Sequence, residues 1–411
     1  MTLYMSRDCY NRSMDPIRNP YSPGAGLRPA ELAGRAHEIA QFEVLRVRAR
    51  QRRPGQSMIF NGLRGVGKTV LLNQLADSAR EDGWIVAKVE ADASGSRMPF
   101  RNQVAQSLNV SLRQVQGKGR KSSRVKAALR TFKSFSLKAA PDGTLSVGIE
   151  FDADRGRADT GSLQADLTDL ALDLGVAAIE LNCGVALFID EMQHLNAEEL
   201  AAICQTCHEA GQQNMPFFVI GAGLPNLPGV LAGARSYAER LFRYVTIGAL
   251  SPIEAAAALT RPAEQEGVEW TEEATAMVLD AASGYPYFLQ EFGSAAWDTA
   301  TDSPIDSEDA AEGIRVGKAR LDDGFFRSRW ERAAPAERDY MTAMAVDGDA
   351  HSQSGEVARR LGKLPTQLGP VRARLIAKGL VYAPEHGMIA FTVPGMTAFI
   401  ARQPNGEPAS S

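Results

Sequence analysis

The stretch Gly62-Leu63-Arg64-Gly65-Val66-Gly67-Lys68-Thr69 matches the pattern G-x-x-x-x-G-K-[ST] at every required position. A loop whose backbone N–H groups must point inward at phosphate oxygens needs glycine where a Cβ would block close approach. Gly62, Gly65 and Gly67 supply that freedom, and Leu63, Arg64 and Val66 occupy the variable positions. Lys68 is then placed to reach the β and γ phosphates and Thr69 to ligate Mg²⁺ through its hydroxyl. Val70 opens the following helix, whose positive N-terminal end faces the anion. Ser57-Met58-Ile59-Phe60 reads as a short buried strand, and Val70, Leu71, Leu72, Leu75, Ala76 and Ala79 fall at helical spacing. Strand, loop and helix in this order predict a nucleoside-triphosphate cradle rather than an accidental glycine-rich turn.

The chain has 411 residues, 44% hydrophobic and 23% charged, which predicts two or three domains of an ordinary soluble protein. A net charge of −4 gives no global field toward nucleic acid, so any such contact must come from local patches. The N-terminus lacks the apolar core of a signal peptide, and no run approaches the roughly 18 apolar residues of a membrane span. The expectation is a cytoplasmic protein with no membrane partner. Four cysteines make no disulfide framework. Cys204 and Cys207, with His208, invite a metal or redox reading, but they sit inside Ala197–Gln212, which reads as one helix, and a structural role is preferred.

Residues 1–27 are rich in proline and glycine and read as an irregular arm. A helix with Ile39, Phe42, Leu45 and Val47 follows, ending in Arg46, Arg48, Arg50, Arg52 and Arg53, cations that either complement the helix dipole or contact phosphate. A second strand is expected over 84–90. Between residues 100 and 140 there is no Asp or Glu, while Arg113, Lys118, Arg120, Lys121, Arg124, Lys126, Arg130, Lys133 and Lys138 occur, with Phe132 and Phe135 among them. This basic insertion, about 100–160, reads either as a phosphate-backbone contact or as a solvated, flexible surface segment. Residues 138–159 read as a hairpin or a loose connector, with 144–151 alternating at strand period.

A long helix (Leu163, Leu167, Leu170, Leu174, Ala178) precedes Val185-Ala186-Leu187-Phe188-Ile189-Asp190-Glu191. A fully apolar run ending in two carboxylates is what a central parallel strand delivers at the carboxyl edge of a sheet, where ligands bind. Asp190 is thereby placed to hold the Mg²⁺ shell and Glu191 to act as general base on the attacking water. Further strands are expected at 217–221 and 244–247. From Ser251 the chain reads as a helical lid to 328, with Ser283-Gly284-Tyr285-Pro286 between two of its helices. Residues 329–403 read as helix, turn, helix, hairpin, the order of a winged helix, with Leu368, Val371, Leu375 and Ile376 inward. The outer face of the second helix offers Thr366, Gln367, Arg372 and Arg374 to a DNA major groove, or the module contacts protein instead. Residues 404–411 are a tail.

With these motifs in order, the chain resembles the AAA+ and STAND group of P-loop ATPases, and among these the origin-recognition and replication-initiator-like ATPases. The resemblance covers Leu32 to the end. It implies an α/β fold, a parallel-sheet AAA+ core over 28–250 with a helical lid and a C-terminal winged helix, and ATP with Mg²⁺ as cofactors. It further implies slow, regulatory ATP hydrolysis, duplex DNA as a partner, and assembly with itself or another protein. Leu32-Ala33-Gly34-Arg35 looks like a family motif lying near the adenine. Glu239-Arg240-Leu241-Phe242 looks like the segment that carries an arginine finger, which makes Arg240 the candidate, with Arg235 and Arg243 as competitors. Gly284-Tyr285-Pro286 looks like the G-x-P motif of STAND proteins where initiators often carry a sensing arginine.

Overall fold

The computed structural model describes residues 14–91, 98–118, 122–139 and 156–403. Its contacts group them into two compact units, one of residues 37–62 and 71–247, the other of residues up to 36, 63–70 and from 248 onward.

The first unit is built on five strands: β1 (Ser57–Asn61), β2 (Ile85–Glu90), β3 (Val185–Asp190), β4 (Phe217–Gly223) and β5 (Phe242–Thr246). All pair in parallel, in the order β2-β3-β4-β1-β5. Every residue of β1, β3 and β4 is buried, as their apolar runs require of strands covered on both faces, with polar Ser57, Asn61 and Asp190 at strand ends. The register pairs Glu90 with Asp190, Ile189 with Gly221, and Asn61 with both Gly223 and Thr246. One carboxyl edge therefore carries the ends of all five strands. At that edge the Gly62 N–H donates to the Gly223 carbonyl at 3.1 Å.

The acid-free basic insertion folds as two helices, Phe100–Lys118 and Ser123–Ala139. Phe132 and Phe135 are fully buried, so the interleaved aromatics are core residues and not a nucleic-acid surface. The missing acids are on the Leu163–Glu180 helix. Asp166 accepts from Arg101 at 2.7 Å, Asp173 from Thr131 at 2.6 Å, and Glu180 from Arg124 at 3.2 Å. These three acids recur every seventh residue, hence on one helix face. The segment expected as a hairpin, 144–151, lies outside the described residues. In the Ala36–Arg50 helix Val47 is exposed, while Arg46 is buried and paired with Asp82 and Glu43.

In the second unit the described part of the arm bonds to the helices that follow residue 251. The Tyr21 hydroxyl donates to the Leu259 carbonyl and accepts from Trp270, and Asn19 donates to Asp298 at 2.8 Å. The segment expected as a lid has helices Pro252–Gln265, Glu272–Ala282, Pro286–Thr299 and Ser307–Arg320. The last runs on in helical conformation through Leu321–Phe326 and Arg327–Glu331, so the boundary expected at 328 falls within continuous helix. Ser251 and Glu254 form the capping box expected at the first lid helix.

The C-terminal segment has helices Pro335–Ala345, Ser354–Arg360, Pro365–Ala377 and Met396–Ala401 and three short strands, β6 (Ser352–Gln353), β7 (Val381–Tyr382) and β8 (Met388–Phe391). The strands are antiparallel in the order β6-β8-β7. Leu368, Val371 and Leu375 are buried as expected, and Ile376 is only half-buried. Glu337, fully buried, accepts from Arg374 at 3.0 Å, Lys378 at 2.6 Å and the Ala334 N–H at 2.9 Å. Burial by itself would raise this carboxyl, but the bonds from Lys378, Ala334 and Arg374 outweigh it and hold it below its ordinary value. A depressed folded-state pKa contributes stability that is complete above the unfolded carboxylate value, about 4.3, and is lost as pH falls through the folded value. Thermal melts should show that loss between about pH 5 and pH 2, and Glu337→Gln should shrink it.

Candidate nucleotide site

Asp190 ends β3 at the carboxyl edge of the sheet, 5% exposed, with Glu191 immediately beyond it. Glu191 adopts a left-handed backbone, φ 49° and ψ 36°, a conformation that a glutamate holds only when its surroundings impose it. Its N–H donates to its neighbour's Asp190 Oδ1 at 2.8 Å. Its carboxylate accepts from the Gln193 amide and lies 3.6 Å from His194 Nε2, an ion pair when that ring is protonated. Gln193 Oε1 in turn accepts from the Leu224 N–H at 3.1 Å, tying Glu191 to the end of β4. The sequence reading missed Gln193, because only the left-handed turn at Glu191 brings the two side chains together. Asn226, the first amide after β4, instead occupies the position before the Leu227–Ala234 helix.

The glycine-rich loop, within the other unit, has Gly65 at φ 86° and Gly67 at φ 90°, a region that favours glycine. Lys68 is 7% exposed and its Nζ donates to the Leu63 carbonyl at 2.7 Å. The Arg64 N–H donates to the Thr392 carbonyl at 3.0 Å, and a Cβ on Gly379 would approach Arg64 Nη2 to 3.0 Å. The Arg64 carbonyl accepts from the Tyr285 hydroxyl at 2.6 Å. Arg35, 6% exposed, donates to the carbonyls of Val66 (2.9 Å), Gly248 (3.0 Å) and Gly34 (2.9 Å).

Two further cations converge here that the sequence reading did not single out. Arg329 lies over the Phe325 ring at 3.9 Å, and Arg332 donates to the Lys378 carbonyl at 3.2 Å. Burial, then the charges of Arg64 and Arg332, push the Arg329 guanidinium down to about 10. The aromatic and basic run Phe325-Phe326-Arg327-Ser328-Arg329-Trp330 was the available signal.

In chemical type the residues of each unit suit a nucleotide and its metal: in one, the loop backbone and Lys68 are donors for phosphate and the Thr69 hydroxyl is a hard oxygen ligand, and in the other the Asp190 carboxylate is a hard oxygen ligand suited to Mg²⁺. Residues 31–220 match the profile of the AAA ATPase domain. This segment is an AAA ATPase domain. The chain is accordingly an ATPase, and its AAA domain accounts for nucleotide binding. Residues 323–400 match a domain of unknown function (DUF8462). Among solved structures the chain is similar to the Aeropyrum pernix Orc1 protein in complex with DNA, at 14% identity over 92% of this chain and 94% of that one, with a TM-score of 0.45. It is also similar to the Thermotoga maritima RuvB Holliday junction branch migration motor (17% identity, 89% and 96% covered, TM-score 0.44). A third is Cdc6p from Pyrobaculum aerophilum (15%, 94% and 96%, 0.43). No curated protein matches the chain.

Beyond the matched segment but in the same compact unit as the sheet, Arg240 is exposed on the Ala238–Leu241 helix that leads into β5. It therefore precedes the strand, at the amino edge of the sheet. Five residues of strand separate it by about 17 Å from the carboxyl edge of β5. Arg235 donates to Gln164 at 2.9 Å, and Arg243 is exposed on β5. Cys204 and Cys207 are buried in the Ala197–Gln212 helix, and burial raises their thiols to about 11 and about 12.

Outside that domain, the four residues assigned to a DNA groove divide. Thr366 and Gln367 are exposed, with Gln367 Oε1 accepting from the Leu364 N–H. Arg374 is bonded to Glu337, and Arg372 donates to the Met388 carbonyl at 3.0 Å. No helix among the described residues is long and apolar enough to cross a membrane.

Proposed function

We propose that the chain is an ATP-dependent switch in which nucleotide at residues 62–70 governs a C-terminal winged helix that holds duplex DNA. The observation that supports this best is the direct bond from the Arg64 N–H to Thr392, with Gly379 against the Arg64 guanidinium. A loop that binds phosphate and also touches the C-terminal segment gives nucleotide a direct route to that segment. An anion at the loop also relieves the mutual repulsion of Arg64, Arg329 and Arg332. Mg²⁺, held by Thr69 and Asp190, would supply neutralisation of the phosphate charge. Glu191, positioned by Gln193, would take the proton of the attacking water. Arg240, remote from the carboxyl edge of its own sheet, would serve a neighbouring subunit.

A second reading makes the C-terminal module a protein contact in a signalling or assembly ATPase. It is favoured by the engagement of Arg372 with the Met388 carbonyl and of Arg374, although exposed, with the Glu337 carboxylate, which leaves Thr366 and Gln367 as the uncharged exposed members of the expected groove face. Fluorescence anisotropy of a labelled duplex at low salt, with ATP, ADP or neither, separates the two. Binding that differs among the nucleotide states is expected; absence of binding in all three discards the DNA reading in favour of the protein one.

A further inference from the structure

Two motifs remain without a role in this scheme, Gly34-Arg35 and Gly284-Tyr285-Pro286. We infer that Arg35 and Tyr285 are positioning residues for the phosphate cradle, each gripping a loop carbonyl from outside so that the next N–H points at phosphate. The inference rests on reading residues 62–69 as that cradle.

The argument is one of peptide geometry. In a trans peptide the C=O of one residue and the N–H of the next point to opposite sides. The Tyr285 hydroxyl holds the Arg64 carbonyl at 2.6 Å, which turns the Gly65 N–H the other way. Arg35 holds the Val66 carbonyl at 2.9 Å, which does the same for the Gly67 N–H. Gly65 and Gly67 are the two loop residues with φ near +90°, and glycine has the most conformational freedom to lose on ordering. The bonds therefore act where the loop would otherwise sample wrong peptide orientations. Each brace is itself fixed. Arg35 is tied to the Gly34 and Gly248 carbonyls and its charge reaches Glu254. Tyr285, 6% exposed, follows Gly284, whose carbonyl accepts from the Leu250 N–H at 2.8 Å. Gly284 sits at φ 69°, and a Cβ there would collide with the Leu250 carbonyl oxygen, so the motif requires glycine before the tyrosine.

The consequence concerns ligand class. Both braces bond to the backbone of the loop itself, so together they tune affinity for the phosphate chain irrespective of the nucleoside.

The test is isothermal titration of the full chain with ATP, GTP and inorganic tripolyphosphate, for wild type, Tyr285→Phe and Arg35→Lys, with a thermal melt of each. Tyr285→Phe, which keeps the ring and removes one hydrogen bond, should weaken all three ligands by the same factor, about threefold to tenfold, with a cooperative melt lowered by only a few degrees. Arg35→Lys loses the guanidinium fork and should cost about tenfold to a hundredfold, again equally. A loss for ATP alone, with tripolyphosphate unaffected, would overturn the inference in favour of a base contact. Unchanged affinities in both folded variants would also overturn it. If Arg35→Lys fails to fold, Tyr285→Phe decides. Wild type that binds neither ATP nor tripolyphosphate refutes the cradle itself, a result distinct from failure of the braces.

Discussion

Lys68→Ala should abolish nucleotide binding, with affinity for ATP falling by at least about a hundredfold. A hydrogen bond to a charged group contributes about 1.5–3 kcal/mol, and a lysine that bridges two phosphates makes at least two of them. Lys68 is 7% exposed, and its ammonium already rests on the Leu63 carbonyl within the loop. It is therefore held in place, and alanine removes a preset charge rather than a mobile surface one. The Lys68–Glu81 helix tolerates alanine well, so a thermal melt should show the variant folded. Isothermal titration with ATP checks the outcome. Retained tight binding would refute the assignment of residues 62–69 as a phosphate cradle.

Glu191→Gln should leave ATP binding intact and lower turnover by about 10²–10⁴-fold, the usual contribution of a positioned general base. The substitution keeps the shape of the side chain and its oxygen acceptor for Gln193, so the left-handed turn at residue 191 has no new reason to change. What is lost is the carboxylate that accepts a proton. Phosphate release measured alongside ATP titration separates the two effects. Undiminished turnover would place the activation of water at another group.

The parts of this site that sequence exposes are those in which chemistry depends on local spacing. The loop glycines, Lys68 and Thr69 lie within eight residues, and the carboxylates of Asp190 and Glu191 end an apolar run whose burial follows from its composition. The five parallel strands were legible for a related reason, since each holds a short apolar run, three residues in β1, five in β3 and seven in β4. Gln193 was not legible. Its bond to Glu191 depends on a backbone turn of φ 49° that no residue type in that stretch demands. The basic insertion misled because its neutralising acids are 56 and 65 residues away in sequence, at Glu180 for Arg124 and at Asp166 for Arg101. Charge read along a chain shows what is present locally, whereas burial and pairing depend on which helix packs against which. Arg372 and Arg374 illustrate the same point: a helical wheel puts them outward, yet long side chains reach the Met388 carbonyl and the buried Glu337 carboxylate.

The sequence by itself determined the glycine-rich loop, the strand that ends in Asp190 and the parallel-sheet class. Each of these is set by periodicity, glycine freedom or burial of an apolar run, all properties of consecutive residues. Only the tertiary structure decided the partners of the loop's own backbone: Tyr285 on the Arg64 carbonyl, Arg35 on the Val66 carbonyl and Thr392 on the Arg64 N–H. These groups are 221, 31 and 328 residues from the loop positions they touch. A backbone carbonyl looks the same at every residue, so nothing in the sequence marks which one a distant side chain will hold.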